Sequence, residues 1–194
     1  PGSMLFSNST QNYTISGPGQ ISGNTTLTKN GTGALTLNSL FDATGAVTIN
    51  DGTLNLNAAN TFTSLTLNAG ALNSTVGSSF GEINVASGSL TLDGTNQILS
   101  MAISGGTTVM SSTNTVGAIA FSGGAIESRA DNAIGNAGTL TATNNGLLRA
   151  STVSQTTNKA FSIGTGGITI QVDDTLDYTI RGTTTNVGAD TGNL

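Results

Sequence analysis

Val47-Thr48-Ile49-Asn50-Asp51-Gly52-Thr53-Leu54-Asn55-Leu56-Asn57 alternates apolar and polar residues on both sides of an Asn-Asp-Gly turn. By itself this is a hairpin signature. Steps of eighteen from Val47, though, reach Leu65, Ile83, Met101 and Ile119, and from Ile49 they reach Leu67, Val85, Ile103 and Phe121. Gly52 recurs as Gly70, Gly88, Gly106 and Gly124, and Leu54 as Leu72, Leu90, Thr108 and Ile126, Thr108 being the one polar member. A weaker column runs from Leu56 through Leu92 and Met110. The spacing of two within each copy predicts strands, and a fixed period near 20 residues predicts a solenoid in which each coil buries its apolar face against the next. The glycine marks a corner turned in two or three residues by a position that tolerates positive φ.

The register extends in both directions. Upstream, Leu27 is followed by Gly33, Leu35 and Leu37 at a step of nineteen or twenty; downstream, Leu140, Gly146 and Leu148, then Phe161, Ile163, Gly167, Ile168 and Ile170, follow at steps near 21. Asp131 to Asn136 and Ser151 to Lys159 read as loops that bulge from the coils. The expected fold is all-β: a right-handed parallel β-helix of roughly 8–9 coils stacked at about 4.8 Å, a rod about 45 Å long. A two-sided β-sandwich of evenly spaced short strands is the structural alternative. Residues 4–194 read as a single segment, with Pro1-Gly2-Ser3 set aside as a remnant of a cloning or protease-cleavage site.

Composition narrows what such a rod can do. Only 8% of the 194 residues are charged, against roughly 25% in ordinary globular domains. Thr, Ser, Asn and 27 glycines fill the difference, while 36% apolar residues in regular alternation mark the chain as ordered. The net charge is -5 and the five basic residues are scattered, so nothing points to nucleic acid or anionic membranes as partners. There is no cysteine, hence no disulfide framework and no thiolate metal site, which suits a bacterial chain exported unfolded and many other proteins as well. No apolar run approaches the roughly 20 residues of a membrane span.

Within residues 24–57, Leu27-Thr28-Lys29-Asn30-Gly31-Thr32-Gly33-Ala34-Leu35-Thr36-Leu37, then Gly45-Ala46-Val47-Thr48-Ile49-Asn50-Asp51-Gly52-Thr53-Leu54-Asn55-Leu56, resembles the passenger-associated β-strand repeat of autotransporters. That motif reads approximately L-x-K-x-G-x-G-x-L-x-L, a short gap, then G-x-T-x-I-x-x-G-x-L-x-L. Here the usual Thr is shifted by one residue at Val47-Thr48, the gap runs from Asn38 to Thr44, and the match covers about thirty residues. The resemblance implies a β-helical passenger segment, secreted or displayed on the outer membrane of a Gram-negative bacterium, whose parent is anchored by an outer-membrane barrel. It implies a role in passenger export and folding and no catalytic residue. Leu27, Lys29, Gly31, Gly33, Leu35, Leu37, Gly45, Val47, Ile49, Gly52, Leu54 and Leu56 then have structural roles, with Lys29 snorkelling at a coil edge. Asn12-Tyr13-Thr14-Ile15-Ser16-Gly17 is echoed by Asp177-Tyr178-Thr179-Ile180-Arg181-Gly182, each leading on to a leucine, Leu27 or Leu194, which suggests one unit of a tandem array.

Candidate chemistry is sparse. Asp173, Asp174 and Asp177 form the only acidic cluster; they could chelate Ca²⁺ or pair with Arg181, and they also suit a solvated corner. Asp51, Glu82 and Asp93 are isolated and read as turn caps. The chain has no histidine, which removes the commonest general base. The outward columns Thr48, Thr66, Asn84, Ala102, Ala120 and Thr53, Ala71, Ser89, Thr107, Ala125 form a long, weakly charged face fit for hydrogen-bonded ladders or side-by-side association. The expected function is a structural and adhesive, non-enzymatic segment without a cofactor, whose partners are a host-cell surface, an extracellular ligand or its own copies. A toxin-like host-binding passenger and a carbohydrate-active β-helix of the polysaccharide-lyase or tailspike kind are the competing readings.

Overall fold

The computed structural model describes residues 2–186. They form an all-β, parallel solenoid, with no helix among them. In the regular region each coil has two strands: a short one such as Ala71–Ser74, and a longer one such as Ser79–Val85. In this region each strand pairs in parallel with the strands one coil above and below.

The ladder reproduces the eighteen-residue register residue for residue. Leu65, Ile83, Met101 and Ile119 are directly paired, as are Leu67, Val85, Ile103 and Phe121. Leu54, Leu72, Leu90, Thr108 and Ile126 form the next column, and Leu56, Ser74, Leu92, Met110 and Ser128 the weaker one. The first column continues upward through Val47 and Leu27 to Met4 and downward through Leu140 and Phe161 to Thr184. That makes about ten coils rather than eight or nine. The additional rungs lie at the ends, where apolar periodicity fades. Gly2 and Ser3, set aside on sequence grounds, belong to the fold: Ser3 pairs with Thr26, and the Gly2 carbonyl accepts from the Thr26 amide. Pro1 and Leu194 lie outside the described residues.

A further apolar column fills the bend of the longer strands. Phe62, Phe80, Ile98 and Val116 are in register, and the rings of Phe41, Phe62 and Phe80 follow one another at centroid distances of 5.6 and 5.7 Å. All of these side chains are buried in one continuous core. Tilted aromatic contacts at this spacing add to the burial itself.

Gly52, Gly70, Gly88, Gly106 and Gly124 all have φ between 69° and 83°. At the first four of these corners the glycine carbonyl accepts the amide of the residue that opens the next coil's short strand, as the Gly52 carbonyl accepts that of Ala71 at 2.8 Å; the Gly124 carbonyl accepts the amide of Leu147, inside a longer strand. The stacking is so close that a Cβ at Gly70 would lie 2.3 Å from the Gly52 carbonyl oxygen. Lower down the corner disappears: strand Thr139–Ala150 runs straight through Gly146, and Ala160–Val172 follows it with one register shift.

The bulge predicted at Ser151 to Lys159 contains a strand, Gln155–Thr157, paired with Tyr178–Ile180 in a separate two-stranded sheet. The echoed segments therefore occupy different faces, because Tyr13–Ile15 pairs instead with Leu35 to Leu37. Their likeness is one of sequence and not of position in a coil. Gly70→Ala is expected to cost about 2 kcal/mol or more, from left-handed backbone strain combined with the carbonyl clash. The urea midpoint of the variant measures it; an unchanged midpoint would mean that the corner has slack.

Candidate functional site

The motif residues occupy two successive coils, one directly above the other. Leu27 pairs with Val47, Lys29 with Ile49, Leu35 with Leu54 and Leu37 with Leu56, and all eight side chains are buried. The motif glycines sit where neighbouring coils touch. A Cβ at Gly31 would lie 2.3 Å from the Asn8 carbonyl oxygen, and one at Gly45 would lie 2.1 Å from that of Thr25. Gly33 donates its amide to Asn8 at 2.8 Å.

Lys29 does not snorkel. It occupies an inward position between Phe6 and Ile49 and is fully buried. Its ammonium donates to the Gly31 carbonyl and packs against Gly52. Burial lowers its pKa, with the charge of Asp51 opposing the shift. The coil above closes over the side chain before it can reach water.

A second sealed lysine was invisible in the sequence. Lys159 is fully buried and donates to the carbonyls of Val116 at 2.8 Å, Gly117 at 2.5 Å and Ala137. Those acceptors lie 22 to 43 residues earlier, so one ammonium ties three successive coils together. Burial without a carboxylate partner pushes its pKa down to about 8.

A polar ladder also runs inside the wall. Asn60, Ser78, Asn96 and Asn114 recur at eighteen residues and are buried. Asn60 Oδ1 accepts from the Phe41 amide, Asn96 Oδ1 from the Ser78 amide, and Asn114 Oδ1 from the Asn96 amide, at 2.8–2.9 Å. Asn60 and Asn114 donate back to the carbonyl two residues earlier, at 2.5 and 2.6 Å, and Gln155 does the same at 3.1 Å. Each side chain thus replaces the backbone partners that its corner lacks. The sequence signal was available, since the same step of eighteen applies to these polar residues.

The outward columns through Thr48 and Thr53 form as expected. Side-chain ladders run beside them through asparagine: Asn30, Asn50 and Asn68; Thr36, Asn55 and Asn73; Asn38, Asn57 and Thr75, at 2.8–3.3 Å. At the bend of the longer strands, Thr63, Gly81, Leu99 and Gly117 stand one above another. Leu99, 75% exposed between two glycines, projects beside a shallow groove of about 490 Å³.

The acidic cluster is dispersed by its own contacts. Asp173 takes a two-point ion pair from Arg149, not Arg181, with Arg149 Nη2 to Oδ2 at 2.6 Å and Nε to Oδ1 at 3.1 Å. That pair holds the Asp173 carboxyl below the usual range. Asp174 sits at a corner with φ of 39°, and Asp177 offers its backbone carbonyl to Gln155. Among the described residues no group of three or more acidic or other ligating side chains is placed to hold a metal ion. Asp51 caps its turn by accepting the Gly52 amide at 2.7 Å. Glu127 accepts from Arg129 and Ser151, both at 2.8 Å, and the Arg129 hydrogen bond is the main cause of its lowered pKa.

The arrangement is that of a β-solenoid with a sealed interior and a sparsely charged, ladder-bearing exterior. No family model, curated protein or solved structure matches the chain.

Two expectations follow from the buried polar groups. Lys159 titrates near pH 8 when folded and near 10.5 when unfolded, so between those values the unfolded chain binds the extra proton and stability rises with pH. Urea titrations at pH 7 to 9.5 should show that rise in the wild type and a flatter profile in Lys159→Met. Thr108 Oγ1 is buried in a leucine column without a hydrogen-bond partner. Thr108→Val should therefore stabilise by about 1 kcal/mol, read as a higher melting temperature.

Proposed function

We propose that the chain is a structural and adhesive segment of a bacterial surface-displayed or secreted protein, of the autotransporter-passenger kind, which supports passenger folding and presents a binding face outside the cell. The observation that carries this reading is the division of labour around the wall. Inward positions are filled with apolar columns and a few buried polar groups, most of them hydrogen-bonded within the wall, while the outward columns through Thr48 and Thr53 bear no charge over five coils. The resemblance of residues 24–57 to the passenger-associated repeat supports it, because the two halves of that motif are two stacked coils.

Coil-by-coil growth suits secretion. Each coil completes the hydrogen bonds and buries the face of the one before it, which gives translocation a direction without an external energy source. A non-enzymatic role agrees with Asp173 being neutralised by Arg149 and with a chain that has no histidine.

The test is binding of the purified chain to host-cell and extracellular-matrix surfaces, alongside a panel of acidic polysaccharides assayed for new reducing or unsaturated ends. Surface binding is expected without turnover, and Leu99→Lys should weaken it by roughly tenfold by placing a charge on the apolar projection. Turnover abolished by Asp173→Ala or Asp174→Ala would transfer the chain to the carbohydrate-active class.

A further inference from the structure

We propose that the groove beside Leu99, midway along the solenoid, binds an uncharged, extended polysaccharide chain lying along the rod axis. The groove crosses four successive coils, and Phe62, Phe80 and Ile98, stacked in register, line its floor. Along one side runs a column of hydrogen-bonding side chains, Thr61, Ser79, Gln97 and Thr115, paired residue over residue. Along the other stand Gly81, Leu99 and Gly117. Stacking dictates the two glycines, since a Cβ at Gly81 would lie 2.3 Å from the Thr63 carbonyl oxygen and one at Gly117 would lie 2.1 Å from that of Leu99. Leu99 is thereby left as an isolated apolar ridge over the floor, and it is exposed.

The lining sets the chemistry of the occupant. The asparagines of the neighbouring ladders hydrogen-bond one another, whereas the side chains of Thr61, Ser79, Gln97 and Thr115 make no hydrogen bond among the described residues. Free hydroxyl and amide groups beside an apolar floor match a ligand with hydroxyl edges and apolar C–H faces, which is the surface of a sugar ring. The same groups recur at the ~4.8 Å of stacked parallel strands, so the ligand they match is itself a repeating chain. Each unit of an extended β-1,4-linked polysaccharide advances by roughly one such coil.

Charge selects a neutral chain. Residues 30–128 contain no lysine or arginine, while Asp42 heads the polar column over Thr61 and Glu82 stands exposed beside Gly81. Phosphate, sulfate or uronate groups laid in the groove would meet these carboxylates with no cation to offset them. An extended peptide is disfavoured on other grounds. Thr61, Ser79 and Gln97 lie in strands already paired on both sides, so the groove offers no free edge for strand addition. The inference rests on the adhesive reading and deepens it, by naming the ligand of one binding face.

Calorimetric titration of the 194-residue chain with cellohexaose and with chitohexaose tests it. Maltohexaose, α-linked and coiled, and polygalacturonate, a uronate chain, are the comparators. At least one of the β-linked chains should bind with a dissociation constant of about 1 mM or tighter, and the comparators should not. Leu99→Ala and Gln97→Ala, both at exposed positions that the fold does not need, should each weaken that binding by about fivefold or more. Ser122→Lys, at an exposed corner outside the groove, should leave it unchanged. Failure of both β-linked chains to bind at about 10 mM would overturn the proposal. So would equal affinity for either comparator, or binding that Leu99→Ala and Gln97→Ala leave intact. A dimer seen by light scattering that Leu99→Lys dissociates, without oligosaccharide binding, would give the groove to a second copy instead. Host-cell binding that persists when no oligosaccharide binds would overturn this inference alone, whereas loss of both would remove the adhesive reading with it.

Discussion

The stacking distance between coils is the constraint from which the rest of the molecule follows. Parallel strands held at ladder spacing bring each backbone within hydrogen-bonding reach of its neighbour, and at the corners almost nothing else fits. Glycine therefore recurs wherever two coils touch while turning, and its carbonyl is used by the coil that follows. The same spacing places like residues over one another, which is why an inward leucine is flanked by leucine, isoleucine or valine for most of the length.

Such an interior holds polar atoms at least cost where a neighbouring coil completes them. Asn60, Asn96 and Asn114 meet that condition through backbone amides one coil away, and Lys159 meets it through carbonyls drawn from two coils above. Thr108 and Ser128 do not, and their hydroxyls are buried without partners. The lysines show that an ammonium can be sealed in this wall where backbone carbonyls take the place of water, at the cost of a lowered pKa.

How much of this could be read from the residues depends on where each side chain finds its partner. The columns through Val47, Ile49 and Leu54 were legible because apolar residues meet apolar residues at a constant step. Lys29 misled because a charge in a strand is ordinarily taken as outward, whereas here Phe6 and Ile49 enclose it. Lys159 left no local trace, since its acceptors at Val116 and Gly117 are more than forty residues away. Asp173 looked like a partner for Arg181, but the coil above delivers Arg149 instead. Where the step lengthens from eighteen to 21 or 22, between Ile126 and Leu148, the corner glycine ceased to predict a corner, and Gly146 lies within a continuous strand.

A protein built on one repeated contact has length and surface as its natural outputs. Changing the number of coils should alter its extent without altering its fold, provided that the period is respected. Excision of residues 83–100, one period, joins Glu82 to Met101 and places Met101 over Leu65. X-ray scattering and urea unfolding of that variant test the account most directly. A folded rod, shorter by about 4.8 Å and still unfolding cooperatively, is the predicted result, whereas excision of nine residues should abolish folding. Collapse of the eighteen-residue variant, or equal tolerance of both excisions, would contradict the claim that coil-to-coil register holds this protein together.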